Sequence, residues 1–430
     1  MTQRQCVGVL LALAAMPARA ADWPRFRGPN GTGIVADADL PVRWSDNNGI
    51  LWKAAIAGVG HSSPVIGGGK LFAQSASADG RERWLLCLDA ATGKRLWQQA
   101  APGHPARIHR KNSLSSSTPA LDGRRVFATF WDGSSARLCA FDLEGKRLWE
   151  QDLGGFESQH GFGLSPIAVE GKVIVNYDQD GSAELLAFDA ATGKPAWRVP
   201  RRPFRACYST PLVRDLPGGS RELVVVSTDA VTGYDAATGR ENWHCNWPRT
   251  RMPLRTVGSP VVADGLIIAA AGDGSGDRLC IAVKPGAGDV TATNLAWQDR
   301  KAFPYVPSIL AWGQHVYNVN DAGVASCHVA RSGEILWQER LGGSVTASPV
   351  LAGGKVYAIT DRGDVVVFTA ATTFKLLGRS SLGEAVSATP AIADNRLYIR
   401  GSKHLFCIGK EGAAGAHPGA EGTGGGGSRQ

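Results

Sequence analysis

The nine residues Asp89-Ala-Ala-Thr-Gly93-Lys-Arg-Leu-Trp97 decide the fold. An Asp at the start reaches the backbone amides ahead of it, a type I turn runs through Ala-Ala-Thr, and Gly takes the left-handed position of a bulge that sets strand register. The Trp then falls on the returning strand, where a large flat side chain wedges between neighbouring sheets. The stretch reads as a hairpin that ends in an outer strand. It returns as Asp189…Gly193…Trp197, as Asp235…Gly239…Trp243, and one residue shorter as Asp142…Gly145…Trp149. Degenerate copies end at Trp297 and Trp337, the latter with Val329 in the Asp position, and a further unit keeps Thr369-Ala-Ala-Thr before Leu377.

A second motif marks the other end of each unit. Ser63-Pro64, Thr118-Pro119, Ser165-Pro166, Thr210-Pro211, Ser259-Pro260, Ser308-Ile309, Ser348-Pro349 and Thr389-Pro390 each precede an apolar run and a turn. Pro suits the first residue of a strand, because it cannot donate into the middle of a ladder. The interval averages about 47 residues, enough for four short strands and their turns. One such sheet cannot bury both of its faces, so the sheets pack radially. The eighth unit has strands near Ala391, Leu397 and Phe406 but no outer strand, whereas Ile50-Leu-Trp52-Lys-Ala-Ala-Ile56 is an outer strand with no unit before it. The expected fold is therefore all-β: an eight-bladed β-propeller of four-stranded antiparallel blades over 50–409, closed by the strand around Trp52 joining the last blade. Trp52, Trp97, Trp149, Trp197, Trp243, Trp297 and Trp337 are the expected docking residues between blades.

Composition agrees with short strands and tight turns. Gly supplies 54 of 430 residues without a triplet period, and charged residues make up 20%, which excludes both collagen and global disorder. The formal charge of +8 is carried by scattered Lys and Arg, whereas a nucleic-acid interface needs a concentrated basic face. Arg4, the apolar run from Val7 to Met16 and Ala18-Arg19-Ala20 read as a secretory signal over 1–20, cleaved after Ala20. That run is shorter than a membrane span. A periplasmic or secreted monomer is expected, with an N-terminal strap over 21–49 that packs Trp23 and Phe26, and a flexible Gly-rich tail over 410–430. Cys6 precedes the apolar run and is not placed for lipid attachment. Cys87, Cys139, Cys207, Cys245, Cys280, Cys327 and Cys407 form no CxxC pair and read as buried free thiols.

The Asp-x-x-Thr-Gly-x-x-x-Trp repeat resembles the tryptophan-docking motif of the quinoprotein alcohol dehydrogenase-like, or pyrroloquinoline-quinone-binding-like, β-propellers, over about residues 44–409. Trp-Pro-Arg-Phe-Arg-Gly-Pro-Asn-Gly from Trp23 is similar to the opening of exported bacterial members. The resemblance implies one of two functions. The first is a non-catalytic binding or protein-assembly scaffold, as in the propeller lipoprotein of outer-membrane protein assembly, with an envelope protein or a small anionic ligand as partner. The alternative is a quinoprotein oxidoreductase holding pyrroloquinoline quinone and Ca²⁺ in its central funnel, commonly above adjacent cysteines, of which this chain has none. No catalytic residue is assigned.

In a propeller the connections from each outer strand to the next inner strand open on one face, at the funnel. The richer ones place His61, His109, Arg110, Asn112, Gln159, His160, Arg205, Tyr208, Arg255 and Tyr305 there as candidate ligand-binding residues. Arg forks and aromatic faces suit an anionic, planar or carboxylate-bearing ligand. The three His come from three blades and carry no metal-ligand spacing, so no metal site is expected. Asp178-Gln-Asp180-Gly181 and Gly272-Asp-Gly-Ser-Gly-Asp277 lack the pattern of a calcium loop and read as hairpin turns.

Overall fold

Each repeat folds as the hairpin arithmetic requires. The computed structural model describes residues 22–250 and 254–410. The expected signal sequence and all of the expected tail after Lys410 lie outside these. Eight sheets arise, seven of them in chain order with inner strand A first and outer strand D after strands B and C. Blade 1, for example, runs Val65–Gly67, Lys70–Ala76, Glu82–Asp89 and Arg95–Pro102. Blade 8 runs Ala391–Ala393, Arg396–Arg400 and His404–Gly409, and its fourth strand is Ile50–Ala55, paired antiparallel with Trp52 opposite Cys407 and Ala55 opposite His404.

Burial follows strand position. Strands B and C are buried almost throughout, whereas strand D is half-buried or exposed. Hydrophobic clusters form between sheets: Phe127, Leu138 and Ala140 of blade 2 meet Val173, Val175 and Phe188 of blade 3. The seven cysteines are all buried free thiols within this packing.

The Asp-to-Trp hairpin explains the docking between blades. Asp89 Oδ1 accepts from the amides of Ala91 and Thr92 at 3.1 and 2.8 Å, and Gly93 takes φ +73°. A side chain on Gly93 would place its Cβ 2.6 Å from the ring of Trp52, which stacks on it from the preceding blade. The Trp52 indole donates to Ala90 O at 3.2 Å. Trp97 donates likewise to Leu143 O, Trp149 to Ala190 O, Trp297 to Ala330 O and Trp337 to Ala371 O. Trp197 stacks on Gly239, but its Nε1 is buried without a partner. Trp243 differs. The facing hairpin of blade 5 is elongated, and Gly288–Asp289 adds a parallel fifth strand beside Glu241–Asn246, so Trp243 is wholly buried and its indole lies against Gly233.

The segment before the first blade crosses the propeller at the narrow end of the channel. Trp23 exchanges backbone hydrogen bonds with Ile66 of blade 1, and Pro24 O accepts from Leu121 N of blade 2 at 2.7 Å. Arg25 donates to Pro211 O of blade 4, and Arg27 to Ile309 O of blade 6 at 2.6 Å. Ile34–Val35 then pairs parallel with Val350–Ala352 of blade 7. The intervening Phe26 lines the central cavity.

Candidate functional site

The Ser/Thr of the second motif builds the wall of the channel. The amide of Ser63 donates to Thr118 Oγ1, and that of Thr118 to Ser165 Oγ. Further round, Thr210 N donates to Ser259 Oγ, Ser259 N to Ser308 Oγ, Ser308 N to Ser348 Oγ and Ser348 N to Thr389 Oγ1. Thr389 N then donates to Ser63 Oγ at 3.0 Å and brings the ladder back to blade 1. In each of these seven links a hydroxyl satisfies the orphan amide of the neighbouring inner strand. This explains why the motif keeps a hydroxyl where Ile309 replaces Pro.

At this ring lies a cavity of about 510 Å³, lined by Phe26 of the strap together with residues of the D-to-A loops and the B-to-C turns. His61, His109, Arg110, Asn112, His160, Tyr208 and Tyr305 line it. His109 and His160 lie in tilted contact, with ring centroids 4.7 Å apart and planes at 46°. Burial, reinforced by Arg255 and His109, pushes His160 down to about 4, and its Nδ1 is buried without a partner. Burial and Arg400 likewise lower His61, so these imidazoles are neutral near pH 7. Asn112 is structural as well as lining: its Nδ2 donates to His160 O at 2.8 Å and to Phe162 O at 3.1 Å.

Three of the residues expected at the funnel stand apart from the cavity. Arg255 is only 3% exposed and donates to Ala206 O at 3.1 Å and to Gln159 Oε1 at 3.3 Å. Its guanidinium ties two loops together rather than reaching into the lumen, and it takes Gln159 with it. Arg205 is held through its backbone at Thr228 Oγ1. In their place the cavity receives Lys111, Asp273, Arg278 and Asp321. Asp273, Arg278 and Asp321 sit in or beside B-to-C turns, which open on the same face as the D-to-A loops. The acidic turn read as a plain hairpin therefore belongs to the mouth.

The donor set does not fit a calcium-held quinone. Asp273 is engaged by its own turn, accepting from Ser275 N at 2.9 Å, Ser275 Oγ at 2.7 Å and Asp277 N at 3.2 Å. Asp321 accepts from Tyr305 N at 2.7 Å and Val306 N at 3.2 Å, with Arg278 Nη2 3.6 Å away. Among the described residues no three His, Cys, Asp or Glu side chains converge to hold a metal ion. No thiol lines the cavity.

Eight sheets around a central funnel, seven of them carrying a docking indole on the outer strand, define a pyrroloquinoline-quinone-like propeller. The chain belongs to the family described as outer membrane protein assembly factor BamB, whose model matches residues 19–160, 134–301 and 313–412. It is 23% identical over 388 residues to outer membrane protein assembly factor BamB of Bordetella pertussis, covering 86% of this chain and 87% of that protein. It is 33% identical over 124 residues to quinohemoprotein alcohol dehydrogenase ADH IIB of Pseudomonas putida, covering 26% of this chain; it spans only 17% of that enzyme. Among solved structures, BamB from Moraxella catarrhalis superposes with TM-score 0.61 at 16% identity, covering 86% of this chain and 99% of that one. Quinohemoprotein alcohol dehydrogenase from Comamonas testosteroni gives TM-score 0.60 at 16% identity, covering 95% and 84%. These two likenesses concern the fold. No helix among the described residues is long and apolar enough to cross a membrane.

Proposed function

We propose that this chain is a non-catalytic binding scaffold of the bacterial periplasm, serving outer-membrane protein assembly by receiving an envelope protein at the mouth of its funnel. The observation that carries this reading is the commitment of the cavity's carboxylates: Asp273 and Asp321 accept hydrogen bonds from their own turns and loops, and among the described residues no three His, Cys, Asp or Glu side chains converge as a cation shell. The near full-length match to an assembly factor supports it. The rim has the chemistry of a docking surface. Phe204 is 64% exposed, with Arg202 and Arg205 close to it in sequence, and Arg110 and Lys111 line the cavity. An aromatic anchor ringed by Arg is a common centre of binding energy.

A photo-crosslinking residue at position 204, expressed in the native envelope, tests the reading. Adducts to a protein of outer-membrane assembly are expected, and they are lost when Arg202→Glu and Arg205→Glu accompany the probe. The quinoprotein reading is tested on the purified chain with pyrroloquinoline quinone and Ca²⁺, following dye reduction with alcohols. Turnover there, with no adduct in the envelope, overturns the scaffold.

A further inference from the structure

The hydroxyl ladder has one gap. Seven amide-to-hydroxyl links join the inner strands, but Ser165 N and Thr210 Oγ1, which would form the eighth, make no hydrogen bond among the described residues. Both residues are more than nine-tenths buried and both line the cavity. A buried amide without an acceptor is rare in a folded protein and calls for a partner from outside the chain.

The surroundings of the gap are rich in donors. Thr118 and Ser165 accept amides through their oxygens, so their O–H groups remain free to donate, and no acceptor for them is found among the described residues. Gly163, two residues before Ser165, puts no side chain into the cavity at this point. Positive charge surrounds it: Arg110 and Lys111 line the mouth on this side, and buried Arg255 lies behind the wall. The nearby Asp180 is engaged by Ala206 N at 2.7 Å, Gln159 N at 3.1 Å and Arg255 at 3.9 Å, and does not line the cavity. The free carboxyl edges of the mouth, at Asp273 and Asp321, belong to blades 5 and 6.

We propose that the gap between Ser165 and Thr210 is an oxyanion site, which takes the carboxylate or phosphate group of a small ligand entering beneath Arg110 and Lys111. One oxygen accepts the Ser165 amide, another the Thr210 hydroxyl, and the cations hold the group in the funnel. Charge-assisted bonds of this kind are stronger than neutral ones. The inference rests on the funnel being the ligand-receiving surface, and it names the chemistry received there.

Calorimetric titration of the full chain with inorganic phosphate and, separately, with malonate tests it. Saturable one-to-one binding of either is expected, and the tighter of the two names the class of group. Thr210→Val is nearly isosteric and removes no hydrogen bond found among the described residues, so its melting temperature stays at the wild-type value while affinity falls about tenfold or more. Arg110→Ala with Lys111→Ala weakens binding and flattens its salt dependence. Ser387→Ala, in the cavity wall contributed by the loop into blade 8, leaves it unchanged. No saturable binding of either anion, or equal binding by Thr210→Val and wild type, overturns the proposal. The crosslinking outcome at Phe204 is read separately, so the scaffold and the anion site stand or fall independently.

Discussion

The backbone amide of Thr389 donates to the hydroxyl of Ser63 at 3.0 Å, across 326 residues of sequence. This single bond joins the inner strand of the last blade to that of the first. In Ser63→Ala the amide of Thr389 stays buried without an acceptor, which destabilises the fold by about 1–3 kcal/mol. Urea unfolding monitored by Trp fluorescence measures this. Thr210→Val, where no such bond exists, stays within about 0.5 kcal/mol of wild type.

Gly93→Ala separates docking from backbone strain. Gly93 and Gly354 share a left-handed backbone, with φ of +73° and +71°, but a Cβ on Gly93 meets Trp52 at 2.6 Å while one on Gly354 meets nothing within 4 Å. Gly354→Ala carries only the left-handed penalty of about 1–2 kcal/mol. Gly93→Ala adds the displacement of the indole, a further loss of about 1–3 kcal/mol in the same unfolding measurement.

Asp178→Asn tests the buried ion pair that fastens blade 3. Asp178 is fully buried and accepts from Arg201 Nε at 2.8 Å and Nη2 at 3.2 Å, while Arg201 Nη1 donates to Tyr234 OH of blade 4 at 2.6 Å. Removing the carboxylate charge leaves the guanidinium uncompensated, and a loss of about 3–5 kcal/mol follows. Expression at reduced temperature with thermal denaturation reads it.

His160 makes stability depend on pH in the acid range. Burial is the main cause of its depressed pKa, followed by Arg255 and His109, and holds it at about 4 against an ordinary 6.5. The unfolded chain therefore binds the proton first. The contribution is fully present above about pH 6.5 and is lost as pH falls towards 4. His160→Gln is expected to show a flatter decline in melting temperature between those limits than wild type.

Blade number and the docking turns were legible because a hairpin needs Asp, Gly and Trp at fixed offsets, whatever its neighbours are. Trp243 also packs between blades 4 and 5, but its partner turn is replaced by a longer loop that sequence spacing alone does not define. The Ser/Thr-Pro step was visible as a strand start, but the role of its hydroxyl was not, since its partner lies one whole blade away. Arg255 illustrates the limit for the site. A loop Arg near a funnel has the same sequence signature whether it reaches solvent or ties two loops. Lys111, Asp273 and Asp321 went unnoticed because only the folded ring shows that two kinds of turn share one mouth.

The strap also orders events in time. Residues 22–35 precede every blade in the chain, yet their partners are Ile66, Leu121, Pro211, Ile309 and Leu351. The earliest segment thus acquires its full set of contacts only after the seventh blade exists. Until then Arg25 and Arg27 have no interior to enter. Burial of these two guanidiniums is therefore a late step, and protection of the Leu351 amide, which donates to Gly33 O, is a clock for completion of the ring.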